Sequence, residues 1–323
     1  MAYDGETTTD DVLDGVDLTG RRFVVTGASS GLGEETTRAL AAHGANVTML
    51  ARNPDKNAAA AARVRDAVPD ADLELGTVDL ADLDSIRSFA ATYLADHEAI
   101  DVLVNNAGVM VCPFGRTADG FETQFGTNHL GHFLLTALLM PAILEGDAPR
   151  VVNLSSGGHS ISDVDLDDPN YESTDYDAWM AYGRSKTANA LFAKELARRH
   201  GDHVLTYAVH PGVIQTELGR HLTDELMAQM MERMQQRAAA DDESDSGGGG
   251  MQVKTVEQGA ATQVWAATAS ELAAHNGAYL GDCQLGVSGG NASHNGYAPY
   301  VDDAAHAAEL WTISEELVGQ AFS

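Results

Sequence analysis

The chain has 323 residues, enough for one large α/β domain or two small ones. Asp and Glu number 48 against 19 Lys and Arg, a formal net charge of -29. Such a surface repels nucleic-acid phosphates and anionic membranes, which sets aside DNA, RNA and lipid-surface binding. The basic side is also skewed, since only Lys56, Lys186, Lys194 and Lys254 are lysines. Dense carboxylate with scarce lysine predicts a halophilic protein, because at about 1 M salt the Debye length falls to roughly 3 Å and self-repulsion is screened. Its melting midpoint is expected to rise between about 0.1 M and 3 M KCl, and an unchanged midpoint would refute the prediction. Two cysteines, Cys112 and Cys283, make no disulfide framework, and the N-terminus has no apolar signal segment. The expected location is therefore the cytoplasm. The most apolar run, residues 133–144, is too short to span a bilayer.

Residues 1–19 are polar and acidic and read as a flexible tail, leaving residues 20–323 as one domain. A buried strand fits 22–26, a glycine-rich turn follows, and a helix fits 34–43. Gly44 ends that helix and a second strand covers 45–51. An Ala-rich helix fits 57–68. Further strands are expected at 73–79, 102–105, 150–154 and 204–209, with helices at 81–94, 121–144 and 181–199. Alternating strands and helices predict a Rossmann-like α/β fold, a doubly wound parallel sheet with helices on both faces. The segment 238–250, AAADDESDSGGGG, reads as a flexible excursion within a lid at about 217–251. A helix over 256–274 then rejoins the domain.

The turn Thr26-Gly27-Ala28-Ser29-Ser30-Gly31-Leu32-Gly33 lies between the first strand and the first long helix. Glycines let backbone approach a pyrophosphate closely, and the helix N-terminus offers unpaired N–H groups. The spacing is G-x-x-x-G-x-G. Further motifs follow in order: Asn105-Asn106-Ala107-Gly108, Asn128 within TNHLGHF, Ser155-Ser156, Tyr182-Gly-Arg-Ser-Lys186 and His210-Pro211-Gly212. Together they resemble the short-chain dehydrogenase/reductase family. NNAGVMVCPFGRTADGFETQFGTNHLGHFLLT, AYGRSKTANALF, TYAVHPGV and GAYLGDC resemble its retinol dehydrogenase-like branch, which also contains WW-domain oxidoreductase and protochlorophyllide reductase relatives. The resemblance runs from about Leu18 to the C-terminus and weakens between Leu218 and Gly250.

The resemblance implies a nicotinamide dinucleotide held by Gly27, Ser29, Ser30, Gly31, Leu32 and Gly33. It adds Asp79 and Leu80, Asn105, Ala107 and Gly108, and then Pro211, Gly212, Val213 and Thr216. Asp79 would contact the adenine amino group, with a helix N-cap as its alternative. An NAD site usually carries an acid at the end of the second strand. Here Arg52 follows that strand, and a guanidinium suits a 2′-phosphate, so NADP(H) is favoured over NAD.

Tyr182 and Lys186 are four apart and share a helix face. A cation beside a tyrosine favours its phenolate, so Tyr182 is expected to have a lowered pKa and to act as acid or base near neutrality. The resemblance implies that Lys186 also binds the nicotinamide ribose and that Asn128 positions Lys186. It puts Ser156 at the position that holds the substrate oxygen, with Ser155 nearer the cofactor. The expected activity is hydride transfer between NADP(H) and a small carbonyl or alcohol. A non-catalytic dinucleotide sensor and a carbon–carbon double-bond reductase are the alternatives. The stretch between Ser156 and Tyr182 reads as a cleft wall or as a solvated acidic loop. Met227, Met230, Met231 and Met234 fall at helical spacing and read as a lid face or as core. His129 and His132 carry no metal-ligand pattern, so no metal is expected. The sequence is compatible with a homo-oligomer but carries no signal for one.

Overall fold

The computed structural model describes residues 3–229, 231–232 and 253–322. Six strands form the centre of one sheet: β1 (Arg22–Thr26), β2 (Asn46–Ala51), β3 (Asp72–Thr77), β4 (Val102–Asn105), β5 (Arg150–Leu154) and β6 (Leu205–His210). Their apolar runs are nearly unbroken, as expected for parallel strands covered on both faces. Beyond them lie β7 (Val213–Ile214), β8 (Val253–Lys254), β9 (Tyr279–Gly281) and β10 (Gln284–Leu285). The sheet runs β10-β9-β6-β5-β4-β1-β2-β3, parallel throughout except for antiparallel β10. Strand order reverses between β1 and β4, which opens a crevice over their carboxyl ends. The glycine turn and the Asn105–Gly108 segment both leave the sheet at this crevice.

The helices are α1 (Thr9–Leu13), α2 (Gly31–Ala42), α3 (Pro54–Ala67), α4 (Leu83–Asp96), α5 (Thr123–Phe125), α6 (Gly131–Leu144), α7 (Ala178–His200), α8 (Val256–Thr268) and α9 (Ala304–Val318). Side chains alternate across β1 as the pleat requires. Val24 joins the core built from α4, α6, α7 and α9, with Ile86, Phe133, Phe192 and Trp311. Phe23 and Val25 join the opposite core, with Leu13, Leu40 and Trp265 from α1, α2 and α8. Residues Thr123–Leu144 form one helical run of 22 residues through a π-helical turn at Gly126–Leu130. By length and composition that run could cross a bilayer, but 78% of its apolar window is buried inside the protein. Core packing accounts for its hydrophobicity.

The acidic N-terminal segment departs from the expected flexible tail. A Thr8–Asp11 capping box starts α1, and Val12, Leu13 and Leu18 are buried. Thr9 donates a hydrogen bond to buried Glu35, and Arg38 joins Glu35 to Asp10. The polar composition hid a short amphipathic turn whose few apolar residues fill a gap over α2 and α8. Leu13→Ala is expected to cost roughly 2–5 kcal/mol, because a fully buried leucine leaves a cavity. Chemical denaturation checks this, since a mobile tail would show no change. The C-terminal elements β9, β10 and α9 were not anticipated. The 238–250 run, Met230 and Met234 lie outside the described residues.

Candidate active site

The glycine turn has no room for side chains. Gly27 has φ +67° and its missing Cβ would stand 2.9 Å from the Ala107 Cα. A Cβ on Gly33 would collide with the Gly27 carbonyl oxygen and lie 2.6 Å from the Asn106 amide nitrogen. The turn is therefore packed against the Asn106 side chain and the Ala107 backbone, and Thr26 ties the two segments together. Its hydroxyl accepts the N–H groups of Asn106 and Ala107, each at 2.9 Å. Ser30 stands at the N-cap of α2, and its side chain makes no capping bond. Gly31 opens the helix with φ +56°, and Leu32 packs toward Gly259 of α8. Ser29 lies between these anchors, half-buried.

Arg52 and Asp79 sit at the ends of β2 and β3, with Nη1 and Oδ2 4.0 Å apart. Arg52 is 70% exposed, so its guanidinium is free to meet a ligand. The N-cap alternative for Asp79 fails, because Asp82 caps α4. Asp79 instead accepts the N–H of Ala81 at 3.0 Å. Leu80 is buried behind it, under Gly131. Asn105 is also buried, and its amide donates to Thr136 and Asn153. It braces the crevice floor rather than offering its side chain. Beyond β6, Gly212 has φ +90° and Val213 starts β7, so Pro211 and Gly212 form a tight turn. Thr216 then returns to the glycine turn, 3.4 Å from where a Gly31 Cβ would be.

Tyr182 and Lys186 lie on the buried side of α7, 3% and 4% exposed. Ser156 places its Oγ beside the Tyr182 ring, the two standing 3.3 and 2.7 Å from where a Gly158 Cβ would be. Its Oγ also accepts the Gly158 N–H at 3.0 Å. Ser155 is differently placed, donating to the Lys186 carbonyl at 2.8 Å. Of the two serines, Ser156 is the partner of Tyr182. Lys186 donates from Nζ to the Leu154 carbonyl at 3.0 Å. Asn128, on the π-helical turn, donates to the Val109 carbonyl and accepts the Val109 N–H. Asn128 Oδ1 and Lys186 Nζ converge on Gly108, 3.2 and 3.6 Å from where its Cβ would be. All four expected catalytic residues thus meet at one end of the crevice.

The electrostatics differ from the expectation in one respect. Burial pushes the Tyr182 phenol up to about 12, only partly opposed by the neighbouring Ser156 hydroxyl. Lys186 does not lower it, because burial drives the ammonium itself down to about 8. Its Nζ is 5.9 Å from the ring centroid. In this pocket the loss of hydration outweighs the neighbouring cation.

The stretch after Ser156 is held down by hydrogen bonds rather than left loose in solvent. Tyr176 donates to the Cys112 carbonyl at 2.8 Å, and Asp168 gathers the N–H groups of Glu172, Ser173 and Thr174. Trp179 donates from Nε1 to the Leu226 carbonyl at 3.0 Å, joining α7 to the segment after β7. Met227 and Met231 are exposed, so neither belongs to the core.

Several supporting residues escape sequence reasoning. His132 donates from Nδ1 to the Asn128 carbonyl, and its Nε2 accepts from Thr26. His129 hydrogen-bonds to Ser314, and burial holds it down to about 3. Both are neutral braces. No local spacing announces them, because their partners lie on other elements.

A family model described as short chain dehydrogenase matches residues 21–227. Retinol dehydrogenase 12 of Homo sapiens is 39% identical over 305 residues, 94% of this chain and 88% of that protein. Retinol dehydrogenase 13 of Homo sapiens is 38% identical over 94% and 86% of the two chains. A solved structure from Mycobacterium Paratuberculosis aligns with TM-score 0.73 at 33% identity, over 98% of this chain and 99% of that one. The NADP complex of Pseudomonas aeruginosa RhlG shares the fold at TM-score 0.60 and 23% identity, over 82% and 95%. A catalytic constellation built at a strand-order reversal and a match along most of the sequence lead to one assignment: the chain belongs to the short-chain dehydrogenase/reductase family, in its retinol dehydrogenase-like branch.

Proposed function

We propose that the protein is an NADP(H)-dependent oxidoreductase that interconverts a carbonyl and an alcohol on a small molecule. The observation that carries this reading is the approach of Ser156 Oγ and Tyr182 at Gly158, beside the convergence of Lys186 and Asn128 on Gly108. The residues present fit a nicotinamide dinucleotide, because a glycine turn without side chains brings backbone to the crevice and leads into a helix whose Ser30 N-cap side chain makes no capping bond. When bound, that cofactor supplies or accepts the hydride.

The chain's own residues manage the proton and the oxygen. Ser156 holds the substrate oxygen by hydrogen bonding. Tyr182 is protonated at neutral pH, since burial raises its pKa to about 12, and it donates that proton to the oxygen during reduction. Oxidation needs the phenolate, so its rate is expected to climb with pH. Lys186 and Asn128 fix the floor beneath. A screen of aldehydes, ketones and alcohols with both nicotinamides in concentrated KCl tests this reading, with retinal included because of the relatives' names. Failure of every substrate class with both cofactors would refute it.

Arg52 is proposed as the selector of the 2′-phosphate. Arg52→Asp is expected to lower the NADPH-to-NADH preference in kcat/KM by roughly 10- to 100-fold, the effect of losing a charge-assisted bond of about 1.5–3 kcal/mol. An unchanged preference would assign cofactor choice to other residues.

A further inference from the structure

His210 ends β6 and is 2% exposed. Its Nδ1 accepts the Gly157 N–H at 2.9 Å and the Gly212 N–H at 3.3 Å. One ring atom thus joins the turn after β5 to the turn after β6. Because Nδ1 accepts, the ring proton sits on Nε2, which has no hydrogen-bond partner among the described residues. A buried unpaired N–H is a penalty that an apolar side chain of similar size would avoid. Packing alone does not account for a histidine here.

The atom held by His210 is one residue from the reaction. Gly157 directly follows Ser156. On the other side of that peptide, the Ser156 carbonyl accepts from His159 Nδ1 at 2.5 Å and from the Tyr279 hydroxyl at 3.3 Å. His159 Nε2 in turn accepts the Ala298 N–H at 3.0 Å. The Ser156–Gly157 peptide is therefore gripped through both its carbonyl and its N–H. The Ser156 hydroxyl is left facing Gly158 N–H and Tyr182. The charged and titratable groups around His210 are His159, Asp282, Lys254 and His294, and burial keeps the ring neutral, with its pKa lowered to about 3. A neutral ring retains the Nδ1 lone pair across the working pH range.

Resting on the oxidoreductase reading above, we propose that His210 is a positioning residue for the reaction. Its Nδ1 lone pair fixes the Ser156–Gly157 turn, so that the Ser156 hydroxyl meets both Tyr182 and the substrate oxygen.

Three variants separate this role from simple packing. Asparagine can place its Oδ1 near the position of Nδ1, whereas glutamine reaches toward the position of Nε2 and leucine has no acceptor. The assay is reduction of retinal and benzaldehyde with NADPH, with kcat followed across pH and NADPH binding followed by its fluorescence. H210L and H210Q are expected to lose kcat on the order of 100-fold, as for a misplaced catalytic group, with NADPH affinity nearly unchanged and the alkaline limb of kcat displaced. H210N is expected to recover most of the rate and the wild-type limb. Equal loss in H210N and H210Q, or a wild-type rate and pH profile in H210Q, would overturn the proposal. The asparagine–glutamine comparison decides the matter even if H210L does not fold. A wild-type protein inactive with every carbonyl and both cofactors would instead sink the oxidoreductase reading itself.

Discussion

Tyr182→Phe is expected to lower kcat for carbonyl reduction by roughly 1,000-fold, within the range that general acid catalysis contributes. The ring stays in place, because it is buried and a Gly158 Cβ would stand only 2.7 Å from its Cε1. Only the hydroxyl is lost, and the ring keeps its place beside Ser156 Oγ. NADPH affinity should therefore persist while turnover collapses. Stopped-flow turnover and a fluorescence titration of NADPH check the two halves separately. Retention of more than a tenth of the wild-type rate would remove Tyr182 from the role of proton donor. The pH dependence has a definite sign. The folded-state pKa of about 12 lies above the ordinary phenol value of 10.0, so the folded chain holds this proton more tightly than the unfolded one. The protonated phenol is in place throughout neutrality, and reduction should fail only on the alkaline side. Any stability linked to this group is lost as pH rises from about 10 toward 12, and the Phe variant should not show that loss.

The residues that were legible in the sequence are those whose chemistry depends on short spacing. Gly27, Gly31 and Gly33 fall within one turn, and Tyr182 and Lys186 within one helical turn, so chain distance predicts spatial distance. The parallel sheet followed from apolar runs alternating with helices. What stayed hidden depends on contacts between distant segments. His210 grips Gly157 across 53 residues, and Tyr279 reaches the Ser156 carbonyl across 123. Helix α1 was hidden by its acidic composition, although the buried Thr9, Val12 and Leu13 suffice to seat so short a helix. The upward direction of the Tyr182 shift is hidden for a related reason. Spacing shows that a lysine is near, but only the packed structure shows how completely water is excluded from both groups.

Lys186→Met is expected to inactivate the protein and stabilise it at the same time. Burial holds the ammonium down to about 8, against an ordinary lysine value of 10.5. The unfolded chain thus binds this proton more tightly, and folding at pH 7 carries a penalty of roughly 3 kcal/mol. That penalty is full below about pH 8 and fades as pH rises toward 10.5. Methionine has a similar reach and no charge to desolvate. Nothing is orphaned by the change. The Leu154 carbonyl keeps the amide of Asn189 at 2.9 Å, and Asn128 Oδ1 keeps the Val109 N–H at 2.8 Å. Melting at pH 7 should show a higher midpoint for the variant, and at pH 10.5 the two proteins should converge. Carbonyl reduction should fall by at least about 100-fold, as expected when a positioned polar group is removed beside a general acid. A lower midpoint at pH 7 would mean that Lys186 serves mainly to hold α7 against β5. A higher midpoint with lost activity would show that the chain keeps one of its four lysines at a net cost to folding. Selection for turnover is the reason such a cost is retained.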